Sequence, residues 1–145
     1  MTTSAQRAAI LVRALRASVE GDRQAIADVY TQDVAAWTPA IATTSLDELM
    51  AAFGRRDDAF SSIALDVTPL LVAGDYACSE WTVSMIHTGP LALADGRTLE
   101  PTGVRVYLHG VTVAEFLGEQ ICALRQYWDE LSVYEQLGLI SGEKV

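Results

Sequence analysis

The hydrophobic period of this chain changes close to residue 60. Upstream, Ala8, Leu11, Val12, Leu15 and Val19 recur at three and four, the spacing of a helix with one buried face. Downstream, Ile63, Leu65 and Val67 alternate, as in a strand with one buried face. A chain that is helical first and a strand meander afterwards is α+β, with helices closing over one face of an antiparallel sheet. A strongly curved sheet leaves a pocket beneath those helices.

Punctuation residues set the expected boundaries. Thr3 and Gln6 have the spacing of a capping box, and Gly21 supplies a stop for the first helix. Asp22 can cap a second helix whose buried stripe is Ile26, Val29 and Tyr30. A short strand is expected over Asp33–Trp37, ending at Pro39. Ser45 and Glu48 repeat the capping signature ahead of Leu46, Leu49, Met50 and Phe53, a third helix ending near Gly54 and the charged run Arg55–Asp58. Gly74-Asp75 marks a turn, and Tyr76–Thr88 reads as a strand. The stretch Gly89–Gly103 is long enough to be functional or mobile. Val104–Phe116 is a long strand, bulged at Gly110 in this reading, and Gly118 turns it into Gln120–Trp128. Leu131, Tyr134 and Leu137 form the apolar side of a terminal helical segment that Gly138 ends. No linker or repeat interrupts residues 1–145, so a single domain is expected.

Composition removes several function classes. Ten basic against nineteen acidic side chains give a formal charge of −9, which repels phosphate backbones and anionic membranes. Nucleic-acid and membrane partners are therefore not expected. Nine of the ten cations are Arg, and the sole lysine is Lys144 near the end of the sequence, a poor place for the desolvated amine that Schiff-base or pyridoxal chemistry needs. Two cysteines and two histidines lack zinc-ligand spacing, so no metal is expected. No signal peptide and no run of membrane-spanning length is visible. The expected setting is the reducing cytoplasm, with Cys78 and Cys122 as buried free thiols.

Three pieces of the second half carry a family resemblance: His87-Thr88-Gly89-Pro90, Pro101-Thr102-Gly103, and Tyr127-Trp128-Asp129 followed by Gln136-Leu137-Gly138. In order and spacing they resemble the SnoaL-like polyketide cyclases (ester cyclases) of the NTF2-like superfamily. The resemblance implies a cone-shaped barrel: N-terminal helices packed on a curved, mostly antiparallel sheet around an apolar pocket, with homodimers formed through the outer sheet face. It also implies that Asp129 is the main acid/base, that no metal or organic cofactor takes part, and that an apolar polyketide-like molecule is the substrate. Where many relatives have an assisting histidine, this chain has Trp37, and the usual Gly-Lys-Ile turn is Gly118-Glu119-Gln120-Ile121. An indole cannot relay a proton, so the ring closure is either proton transfer by Asp129 or a shape-directed, even pericyclic, cyclisation. The alternatives are a non-catalytic small-molecule binding protein, or an isomerase or epoxide hydrolase on the same scaffold. A hydrolase would want an Arg bridging two aspartates, and the alternate position after Arg105 is Tyr107.

The candidate residues each have two readings. Alternation puts Arg125, Tyr127 and Asp129 on one face. If that face lines the pocket, Asp129 is a base beside Tyr127; otherwise Asp129 caps the helix that follows. His87 shares a face with Trp81, Val83 and Met85, and either touches substrate or satisfies the Thr88–Gly89 turn. Glu115 is a second carboxylate if it faces inward, and a solvated strand residue if not. Trp37, Tyr30, Met50, Phe53, Trp81 and Met85 wall the pocket or simply fill the core. Arg105 and Tyr107 could bind an anion or a carbonyl oxygen, or sit at a solvated strand edge. His109 reads as a surface or dimer-interface residue.

Overall fold

The computed structural model describes residues 3–140. Lys144 lies outside them. Helix α1 spans Ser4–Glu20 and α2 spans Arg23–Val29. The capping box forms as the sequence implies: Thr3 accepts from the Gln6 amide, and the Gln6 side chain accepts from the Thr3 backbone. Gly21 ends α1 in the left-handed region at φ 70°, where glycine alone carries no Cβ penalty.

The main sheet has six strands in the order β2-β1-β8-β7-β4-β3. They are β1 (Tyr30–Trp37), β2 (Ala42–Thr43), β3 (Phe60–Ala73), β4 (Tyr76–His87), β7 (Arg105–Leu117) and β8 (Gln120–Trp128). A small hairpin, β5 (Leu91–Ala92) with β6 (Thr98–Leu99), sits within the 89–103 loop. The β1–β8 pair is parallel; the other neighbours are antiparallel. Helix α3 (Leu46–Ala59) lies between β2 and β3, and α4 (Glu130–Gln136) follows β8.

Three expectations are corrected. The third helix does not stop at Gly54; it runs through the charged segment to Ala59, because a solvated helix face tolerates both the glycine and the charges. Tyr30 opens β1 rather than closing α2. The expected bulge at Gly110 is absent from the β4–β7 ladder, which is continuous from Tyr76↔Glu115 to Ile86↔Arg105. Irregularities fall instead at Glu115/Phe116, between Tyr30 and Ala35 of β1, and twice in β3. At the first of those in β3, Ser62 holds φ 51°, a strained conformation for a non-glycine residue. Such a bulge bends the strand and increases twist, so β3 curls and the sheet becomes a cone wall. Pro69 sits at the second, on the edge strand, where its missing N–H leaves no ladder partner short.

The helices cover the inner face. Leu11 and Leu15 of α1, Ile26 and Val29 of α2, and Leu46 and Leu49 of α3 pack with Val34, Ala114, Ile121 and Leu124 of the sheet. A second cluster at the other end joins Phe60, Met85 and Val106 to Val133 and Leu137, so α4 and its C-terminal turn close that end. No helix among the described residues is long and apolar enough to cross a membrane.

Candidate functional site

The inner face of the sheet carries a polar row that apolar alternation alone would not place there. Ser79 on β4 pairs with Thr112 on β7, and Thr112 pairs with Gln126 on β8. Thr112 and Ser79 are buried at 0% and 1% exposure, whereas Gln126 is half-buried. The Thr112 hydroxyl oxygen accepts twice, from the Trp81 indole N–H at 2.9 Å and from the Gln126 amide at 3.1 Å. The Ser79 hydroxyl has no partner. Buried polar groups are normally paired and costly when they are not, so this row is a specific feature of the face.

Two indoles flank it. Trp81 and Gly110 are register partners, and a Cβ on Gly110 would lie 2.4 and 2.6 Å from the Trp81 ring carbons. Glycine is therefore required there for the indole to lie flat on the sheet. Trp128, the partner of Gly110 on the other side, meets Trp81 edge-on at 6.1 Å between centroids. The Trp128 N–H donates to the Glu130 carboxylate. Glu130 is half-buried in the first turn of α4, and Tyr134 follows it one helical turn later. Burial, and then the Glu130 carboxylate, push the Tyr134 phenol above its ordinary value. Met50 and Phe53 of α3 are half-buried against the same core. Two indoles, an amide and a carboxylate are the groups this part of the fold can offer to an apolar molecule with a few oxygens.

The expected site residues are distributed differently. Asp129 is exposed and caps α4, accepting from the Ser132 amide at 3.2 Å. Arg125 and Tyr127 share its face, as alternation requires, but that face is the outer one. Trp37 and Tyr127 stack there at 5.3 Å and are 45% and 49% exposed, so neither walls the interior. Their parity along β1 and β8 is opposite to that of the buried Ala36 and Leu124. Glu115 is also on the outer face, opposite Ala123, and six residues along β8 separate that partner from Asp129, about 20 Å at strand rise. The two carboxylates do not form a pair.

Tyr30 is a core residue, and burial pushes its phenol well above the usual range. Met85 packs in the second cluster. Trp81 belongs to the first core cluster, with Met50 and Phe53 packed against it. Cys78 and Cys122 are half-buried rather than buried. Arg105 is exposed, its nearest side-chain partner the Ser84 hydroxyl at 3.4 Å. His109 is a surface residue facing Glu80 at 3.5 Å.

His87 is fully buried and joins the two legs of the 89–103 loop. Its Nδ1 accepts from the Thr102 amide at 3.1 Å and faces the Thr102 hydroxyl at 3.0 Å. Its backbone bonds Val104 and Gly103. The Thr88 and Gly89 amides both donate to the Ala59 carbonyl, and a Cβ on Gly89 would lie 1.8 Å from the Asp58 oxygen. The His-Thr-Gly and Pro-Thr-Gly pieces are thus partners in one clasp. Because Nδ1 accepts, the ring proton is assigned to Nε2, which is buried without a partner.

Asp129 also borders an open groove of about 510 Å³ on the outer face, with Asp66, Ser84, Tyr107, His109 and Ser132. Among the described residues no cluster of His, Cys, Asp and Glu is arranged to hold a metal ion. Neither the periodicity nor the family pieces mark Ser79, Thr112, Gln126 or Glu130 as site residues, and Tyr134 reads there only as part of an apolar helix face. Thr112 had a signal: it is the one hydrogen-bonding side chain in the inner-face series Val106, Leu108, Gly110, Thr112, Ala114, Phe116. Glu130 and Tyr134 had helical spacing.

Helices closing over the inner face of a curved, mostly antiparallel sheet define an NTF2-like α+β cone. The sequence matches the family model for SnoaL-like polyketide cyclases over residues 9–137, and the chain belongs to that family. No curated protein matches the sequence. Solved structures share the fold at low identity. TsrD from Streptomyces laurentii is 20% identical, with 97% of this chain and 100% of that one covered at a TM-score of 0.81. An NTF2-like protein from Burkholderia xenovorans is 15% identical, covering 94% and 99% at 0.73. An LEH-like epoxide hydrolase from M. tuberculosis is 14% identical, covering 94% and 92% at 0.67.

Proposed function

We propose that this protein closes rings on an extended, largely apolar polyketide-like molecule held against the inner face of the cone. The observation that carries the reading is the polar row Ser79–Thr112–Gln126 set beside two indoles on an otherwise apolar face. Gln126 is its half-buried outward end, the place where a substrate oxygen meets a fixed donor or acceptor. Met50, Phe53 and Trp128 offer the chain an apolar surface that favours a folded, near-reactive conformer. Holding two ends of one molecule together removes much of the entropic barrier to ring closure. The family membership supports the same substrate class. The exposed cap position of Asp129 counts against proton transfer by that residue to or from a molecule on the inner face. The hydrolase alternative has less support, since Arg105 contacts Ser84 rather than bridging two aspartates. The outer face, with Trp37 and Tyr127 exposed, is in this reading the surface where a second copy docks.

The test is incubation of the purified protein with a linear poly-β-ketone thioester mimic, following cyclised product by absorbance and mass. Faster product formation than in buffer, reduced in a Gln126→Leu variant, supports the reading. Tight binding of the mimic without turnover would leave a binding protein. Absence of both sinks the proposal.

A further inference from the structure

The sequence draws attention to Asp129, but the structure sets its neighbour Glu130 against the Trp128 indole. Trp128 and Asp129 are consecutive, so the strand geometry sends them to opposite sides. Glu130 then comes back to the side of Trp128, where its carboxylate accepts the indole N–H. Tyr134 follows Glu130 one helical turn later in α4. The result is a half-buried carboxylate held by an indole N–H, beside the Trp81–Trp128 pair. Asp129, by contrast, is exposed and occupied with the Ser132 amide.

We propose that Glu130 is the proton-accepting group of the inner site, acting on an activated methylene next to a carbonyl. This rests on the ring-closing reading above. The methylene proton moves to a Glu130 oxygen and its electron pair becomes an enolate. The enolate carbon bonds to a second carbonyl carbon of the same chain, and the proton returns from Glu130 to the new alkoxide. Nothing else is consumed. Trp128 positions the carboxylate.

A nitrobenzisoxazole tests this without the natural substrate. Its ring C–H proton passes to a base, the C–H electron pair completes a nitrile, and the N–O bond breaks to release a coloured phenolate. The expected result is that the wild-type protein accelerates this elimination over buffer and that Glu130→Gln lowers the rate by roughly a hundredfold, the usual weight of a positioned base. Gln keeps the shape and still accepts from Trp128, and the near-ultraviolet dichroism of the two indoles checks that the site is intact. Asp129→Asn, which preserves the cap, is expected to retain the rate. The assignment is overturned if Asp129→Asn abolishes elimination while Glu130→Gln does not, or if neither variant matters. Binding of a neutral aromatic ketone fluorophore separates the two layers. A protein that binds it but shows no Glu130-dependent elimination overturns the assignment alone. One that does neither overturns the ring-closing reading as well.

Discussion

Replacing His87 decides whether that residue belongs to the chemistry or to the frame. The structure gives opposing contributions for His87→Ala. Loss of the acceptor for Thr102 costs about 1 kcal/mol. Removing a fully buried ring that packs on Phe60 at 5.5 Å costs about 2 kcal/mol, below the ~3–5 of a Phe truncation because an imidazole is smaller and partly polar. Against these, the variant no longer buries an unpartnered Nε2–H, which relieves about 1 kcal/mol. The net is about 2 kcal/mol of destabilisation, or roughly 8 °C in Tm at this chain length. His87→Asn keeps an acceptor near the position of Nδ1 and exchanges the Nε2–H for a shorter amide NH2, so it should lose less than the Ala variant, about 1 kcal/mol relative to wild type. Thermal melts and urea midpoints give the stabilities. Amide exchange in the 89–103 loop should quicken in the Ala variant and not in the Asn variant. An Ala variant as stable as wild type, or an Asn variant as damaged as Ala, refutes the clasp. An Asn variant with full stability but no ring closure returns His87 to the chemistry.

Gly89→Ala would drive a Cβ into the Asp58 carbonyl at the junction of α3 and the loop; expression should yield no folded protein or one destabilised by at least ~3 kcal/mol, and a normal melt would show that the loop base can shift. Gly110→Ala should lift Trp81 off the sheet and break its bond to Thr112, costing about 2–3 kcal/mol and altering the indole dichroism; an unchanged spectrum counts against the indole lying on Gly110. Both thiols have pKa values above the ordinary one, through burial first and then Glu80 beside Cys78 and Glu115 beside Cys122. A raised value means less thiolate at a given pH, so the alkylation rate with iodoacetamide should reach half-maximum at higher pH in the native protein than in concentrated urea. The reverse order would contradict the assigned environment.

The period change near residue 60 was legible, and so were the caps at Thr3, Asp22, Ser45 and Asp129, because caps and stripes are local. The family pieces carried the curved sheet and its helical cover. What the sequence did not disclose was which face of β8 points inward. Gln126 and Trp128 occupy one parity and Arg125 and Tyr127 the other, and each set combines an aromatic with a polar group, so amphipathicity is nearly balanced. The choice is made elsewhere: Gly110 leaves space for Trp81 on one side only, and Trp128 follows it as the register partner across the ladder. A glycine on one strand thereby sets the orientation of residues on its neighbour. From that single parity follows the rest of the site. Trp37 and Tyr127 go outward, Asp129 becomes a cap, and Glu130 is the carboxylate that returns to the inner indole. The most conspicuous acid in the sequence and the best-placed acid in the fold are adjacent in the chain and on opposite sides of the sheet.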